Sequence, residues 1–163
     1  MTQIIPEAEN ISEIAELREE IISKRESGEV LLETKKLIPS GNSDDENLMA
    51  LVDSFVMQLG FSGIGDRWKH INRESAQKIL NFILNKNLAY SSEESITVTD
   101  AESIADRFMN LFKDNSQFFT NAIFNHNYSG LTEWDSIAES TFDTGVVIVS
   151  NERIGILWVQ DED

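Results

Sequence analysis

His70 and His126 are the only two imidazoles in the chain, and a pair of histidines could supply the acid and base of a ribonuclease-like cleavage. Such an enzyme also needs cations to hold and stabilise phosphate. A chain with 29 acidic and 13 basic side chains, formal charge -16, is poorly suited to attract it. The stretch Asp66-Arg67-Trp68-Lys69-His70 is nevertheless the most unusual local cluster, and it follows a glycine-rich turn at Gly60, Gly63 and Gly65. A catalytic reading would centre on Asp66, Arg67, His70 and His126. A phosphate cradle would need a strand before the glycines and a helix after them, but here a helical pattern comes first and no Gly-Lys-Ser/Thr ending follows. Helix termination and turn geometry account for these glycines better, and Trp68 reads as a plug between elements.

Carboxylates are so abundant that pairs suited to glycosidase or metal chemistry can be drawn anywhere, which makes any single pair uninformative. The chain has no Asp-x-Asp-x-Asp-Gly calcium loop, no His-Glu-x-x-His helix and no Gly-x-Ser-x-Gly elbow. It also has no cysteine, which removes disulfides, thiolate nucleophiles and Cys-based metal sites. No metal or cofactor is expected, and the expectation is a non-enzymatic protein. Two acids near the carboxyl end, Asp135 and Asp143, stand out, although capping a turn is the commoner role for Asp at such positions. The end itself, Ile156 to Val159 followed by Gln160-Asp161-Glu162-Asp163, joins an apolar strand to three acids. That cluster reads either as a binding epitope or as a charged guard on a strand edge.

The elements that would carry these residues can be read from periodicity. Asn10 with Glu13 resembles a helix start, and Ile14, Leu17 and Ile21 continue one apolar face to about Lys24. Val30-Leu31-Leu32 suggests an early strand, and Pro39 to Ser43 reads as a loop or flexible seam within one domain spanning 1–163. Asp44-Asp45-Glu46 would favour the amino end of a second helix carrying Leu48, Leu51, Val52, Phe55, Val56 and Leu59, ended by Gly60. Asn72 can cap a third, with Ala76, Ile79, Leu80 and Ile83 inward. Thr99-Asp100-Ala101-Glu102 reads as a capping box for a fourth, carrying Ile104, Ala105, Phe108, Leu111 and Phe112. Phe118 to Phe124 is aromatic and apolar, and Gly145 to Val159, broken at Asn151-Glu152, reads as a β-hairpin. Four helices, mostly early, packed on a small antiparallel sheet with a carboxyl-terminal hairpin make an α+β fold.

Charge is uneven along this layout. Residues 1–50 carry 12 acids and 5 bases, 51–100 carry 6 and 5, and 101–163 carry 11 and 3, so both flanks are acidic around a nearly neutral middle. The field repels nucleic acid and anionic lipid, and it would steer a basic protein inward. No run approaches the roughly 20 apolar residues of a membrane span, and Pro6, Glu7 and Glu9 stand where a signal peptide would be hydrophobic. A cytoplasmic location is expected, so the Asn10 and Asn127 sequons would stay unglycosylated.

An acidic, cysteine-free α+β chain of this size without catalytic motifs, including the Phe142-Asp143-Thr144-Gly145-Val146-Val147 segment, resembles bacterial immunity proteins, which neutralise toxin domains. The resemblance implies a cytoplasmic inhibitor that binds a basic, nuclease-type toxin stoichiometrically. Steering acids and aromatic anchors would form the interface. The candidate partner-binding residues are Trp134, Asp135, Asp143, Trp158, Asp161, Glu162 and Asp163. A homo-oligomer, with an exposed hairpin edge pairing to its twin, is the remaining expectation.

Overall fold

A computed structural model describes residues 2–7, 12–25, 28–38, 47–90, 94–113, 115–125, 128 and 130–162. Asn10, the expected seam at 39–43, Asp44 to Glu46, His126 and Asp163 lie outside them. The element order is β1 (Gln3–Pro6), α1 (Ser12–Lys24), β2 (Glu29–Ile38), α2 (Leu48–Gln58), β3 (Lys69–Ile71), α3 (Arg73–Asn85), α4 (Val98–Met109), β4 (Gln117–Thr120), β5 (Ala122–Phe124), β6 (Leu131–Trp134), β7 (Phe142–Val149) and β8 (Arg153–Asp161). The fold is α+β, with the carboxyl-terminal hairpin formed by β7 and β8.

Helix ends follow side-chain chemistry. The Asn47 carboxamide accepts from the amides of Met49 (3.0 Å) and Ala50 (3.4 Å) at the start of α2, and Gly60, at φ +94°, closes its far end in the left-handed region. Asn72 caps α3 by accepting from Ser75 N at 2.8 Å. The cap of α4 is Thr97, whose hydroxyl accepts from Asp100 N at 3.2 Å. The expected box at Thr99 is two residues late, because Thr99 already lies inside the helix.

Six strands form one sheet in the order β1-β2-β8-β7-β4-β3, every pairing antiparallel, and β5 and β6 form a separate two-stranded ribbon. One early strand was expected, whereas β1, β2 and β3 all precede α3. The charged stretch between Leu32 and Leu37 does not interrupt β2, which runs unbroken against β8 from Glu29 to Lys36. The short β1 and β3 carry little pattern of their own and are held by their neighbours.

Both faces of the sheet are covered. Val146, Ile148, Leu157, Val159 and Phe118 pack with α1, α3 and α4, while Val147, Val149, Ile154, Ile156, Trp158 and Phe119 pack with α2, Ile64 and Trp68. This double burial explains why the hairpin reads as continuous apolar runs and not as alternation. Gly145 stands opposite Trp158 in the register, and a Cβ there would meet the Leu157 carbonyl oxygen at 2.1 Å and Trp158 Cα at 2.8 Å. Neither backbone atom can yield cheaply. Gly145→Ala is expected to lose about 2 kcal/mol, the scale of core overpacking, read as a lower urea midpoint at unchanged slope.

Candidate functional site

The β5–β6 ribbon pairs Ala122 with Trp134 and Ile123 with Glu133, and it is fastened to the main sheet by one buried amide. The Asn121 Nδ2 donates to the carbonyls of Asp135 and Asp143, both at 2.9 Å, while its Oδ1 accepts from the Thr144 hydroxyl at 2.7 Å. Asn121 is fully buried, and its bonds to Asp143 and Thr144 are made away from water, where leaving one unmade would be expensive. The result is a ribbon held firmly at its root.

Along this ribbon runs a groove of about 430 Å³ lined by Lys69, Asn121, Ile123, Glu133, Trp134 and Asp135. Trp134 is half-buried and tilts against Phe142, ring centroids 5.1 Å apart. Ile123 and Glu133 are exposed, and the half-buried Asp135 receives Arg67 Nη1 at 3.0 Å. An aromatic body with carboxylates on either side of it in sequence suits a long cationic side chain, whose methylene stem can lie on the ring while its head meets the acids.

Of the residues expected to meet a partner, Trp134 and Asp135 line this groove together. Trp158, Asp143 and Asp161 do not, because each is completely buried. The Trp158 indole packs edge-on against Trp68, centroids 6.0 Å apart, and donates to Asp143 Oδ2 at 3.0 Å. Asp143 also accepts from Ile137 N (2.9 Å), Ala138 N (3.3 Å) and the Ser136 hydroxyl, so it caps the turn between β6 and β7 from within. Asp161 receives Arg25 Nη1 and Nη2 at 2.9 and 2.8 Å and Leu88 N at 2.8 Å. Strand alternation turns Asp161 inward, while Glu162 beside it is exposed and accepts from Thr141 N at 3.1 Å. β2 pairs with β8 from Arg153 to Gln160, whereas β4 covers β7 only from Val147 to Val149.

The glycine-rich turn is filled by the protein's own carboxylate. Asp53, on α2, accepts from Ile64 N (2.9 Å), Gly65 N (2.9 Å) and Trp68 Nε1 (2.6 Å). The amides that could have cradled phosphate are thus occupied, and Trp68 is a core plug at 2% exposure. Asp66 and Arg67 sit exposed on the 3-10 turn, whereas His70 lies on β3 with its ring stacked on Phe119 at 5.0 Å. Arg67 is committed to Asp135 and to the Ile64 carbonyl.

Sequence reading missed Asp53, Arg25, Asn121, Ile123 and Glu133. None lies in a motif, and each acquires its role from a partner at least 10 positions away. Elsewhere, Glu13, Glu16 and Glu19 on α1 and Glu102 and Asp106 on α4 are exposed, while nearby cations are engaged within the protein. Lys24 bridges Glu20 (3.4 Å) and Asp100 (3.3 Å), and Arg107 also reaches Glu20. Desolvation lowers the Lys24 pKa, but the hydrogen bonds and charges of Asp100 and Glu20 outweigh it and hold the ammonium above its usual value. No group of three or more metal-ligating side chains occurs among the described residues, and no described helix is long and apolar enough to cross a membrane. Comparison with protein-family models, curated proteins and solved structures gave no match.

Proposed function

We propose that this chain is a non-catalytic cytoplasmic binding protein that blocks a basic protein, in the manner of an immunity protein bound to a nuclease-type toxin. The observation that carries this reading is the groove on the β5–β6 ribbon, where the partly exposed Trp134 is flanked in sequence by Glu133 and Asp135 on a support rooted by Asn121. A Lys or Arg of the partner would enter beside Trp134. The acidic outer faces of α1 and α4 would accelerate encounter without making the specific contacts.

The test is a pull-down from the native host, or with the neighbouring gene product co-expressed, at low and moderate salt. A single stoichiometric basic partner, bound more slowly as salt rises, is expected. Trp134→Ala should weaken that complex by about 2 kcal/mol or more, roughly 30-fold, as an aromatic anchor would. Glu133→Arg, at an exposed position that leaves the core untouched, should lower the association rate. A partner that binds both variants with unchanged affinity and rate would remove this groove from the interface.

A further inference from the structure

A second groove, of about 540 Å³, opens where the end of β3 and the start of α3 diverge from the start of β4. It is lined by His70 to Arg73 on one side and Asn115 to Phe118 on the other. Its electrostatics run against the rest of the molecule. In a chain of charge -16, the described lining contains no carboxylate, and the neighbouring Asp114 lies outside the described residues. Arg73 and His70 are exposed, and among the described residues neither side chain makes a hydrogen bond or an ion pair. Both are held by aromatic faces, on opposite sides of the sheet: the Arg73 guanidinium lies 5.9 Å from the centroid of the Phe118 ring, and His70 stacks on Phe119 at 16°. Orientation by rings leaves their N–H groups unspent, in contrast to Arg25, Arg67, Arg107 and Arg153, whose guanidiniums are tied to carboxylates.

We infer that this groove is a site for a small oxyanion of the phosphate class, with the Arg73 guanidinium as its ligand. Its volume lies within the range of small-molecule pockets and admits a phosphate monoester as well as the free ion. The protein's global field opposes anion capture, so the site must act at contact range. Screening by salt weakens the long-range repulsion as well as the local attraction, and the affinity should therefore fall less steeply with ionic strength than at an ordinary cationic site.

The experiment is a titration of the full chain with inorganic phosphate, and separately with phenyl phosphate, followed by amide NMR shifts at constant ionic strength. Saturable shifts confined to residues 70–73 and 115–118, weakened about tenfold or more in Arg73→Gln, are expected, because a charge-assisted bond to the anion is lost. Arg73 is exposed, and an unchanged amide spectrum elsewhere will show that the variant is folded. His70→Phe preserves the stack on Phe119, on the opposite face of the sheet, and should leave binding unchanged. Non-saturable shifts, shifts concentrated outside residues 70–73 and 115–118, or equal titration of wild type and Arg73→Gln would overturn the assignment. Phosphate binding with no basic protein partner would support this site while failing the inhibitor reading, and the reverse result would do the opposite.

Discussion

Asp161→Ala is expected to lower the unfolding free energy by about 3–5 kcal/mol, because it removes the carboxylate that meets the buried Arg25 guanidinium with two hydrogen bonds. Against a typical total of about 5–15 kcal/mol this is a large fraction, enough to unfold part of the population near body temperature. The pair does more than neutralise itself. Arg25 Nη2 also donates to the carbonyls of Ile83 (3.3 Å) and Lys86 (3.1 Å) at the end of α3, and Asp161 also accepts from Leu88 N, so one ion pair fastens α1, α3 and β8 together. Gly28, at φ +71°, wraps the following turn so closely that a Cβ would stand 1.9 Å from Asp161 Oδ1. The informative comparison is the double replacement Arg25→Met with Asp161→Leu, which removes both charges and both desolvation penalties and should recover much of the loss. Urea unfolding of the two single variants and the double variant measures this. A single-variant loss under about 1 kcal/mol would class the pair with exposed salt bridges and sink the argument.

That pair marks the limit of what the linear sequence discloses. Periodicity carried α3, α4 and the hairpin, because amphipathic spacing and apolar runs are local consequences of burial, and Asn72 and Gly60 end or begin helices through atoms within a few residues. Short strands such as β1 and β3 have no such signal, since three or four residues acquire strand geometry only from the neighbour that pairs with them. The acids were the hardest to sort. Asp135 and Asp143, eight positions apart, look alike in composition, yet one lines an open groove and the other is fully buried beneath Trp158. A carboxylate's role depends on how many donors from outside its own element converge on it. Asp53, Asp143 and Asp161 each gather three or more, a property written in the fold and invisible in the residue itself. At the carboxyl end the same property separates neighbours: Asp161 and Glu162 are adjacent in sequence and opposite in burial.

Asp143→Ala is the second large effect, and the one that reaches the groove. The substitution removes the acceptor for Ile137 N, Ala138 N, the Ser136 hydroxyl and Trp158 Nε1 together. Two of these donors, Ile137 N and Trp158 Nε1, are buried, and each is worth about 1–3 kcal/mol when left unpaired; because all four share one carboxylate their losses do not add, so roughly 3–5 kcal/mol is expected in total. Trp158→Phe removes only the indole donor, together with part of the packing on Trp68. Combining it with Asp143→Ala should therefore be less damaging than the sum of the two, by about 1–2 kcal/mol. The functional consequence follows from chain continuity. Ser136, Ile137 and Ala138 come directly after Trp134 and Asp135, and Asn121 holds the backbone carbonyls of both Asp135 and Asp143. Loosening that turn should misplace Trp134 and Asp135 even in molecules that remain folded, so partner affinity per folded molecule should fall along with stability. Affinity measured well below the unfolding transition separates the two effects. Wild-type affinity in folded Asp143→Ala would show that the groove does not depend on this buried carboxylate, and would leave Asn121 alone as its anchor.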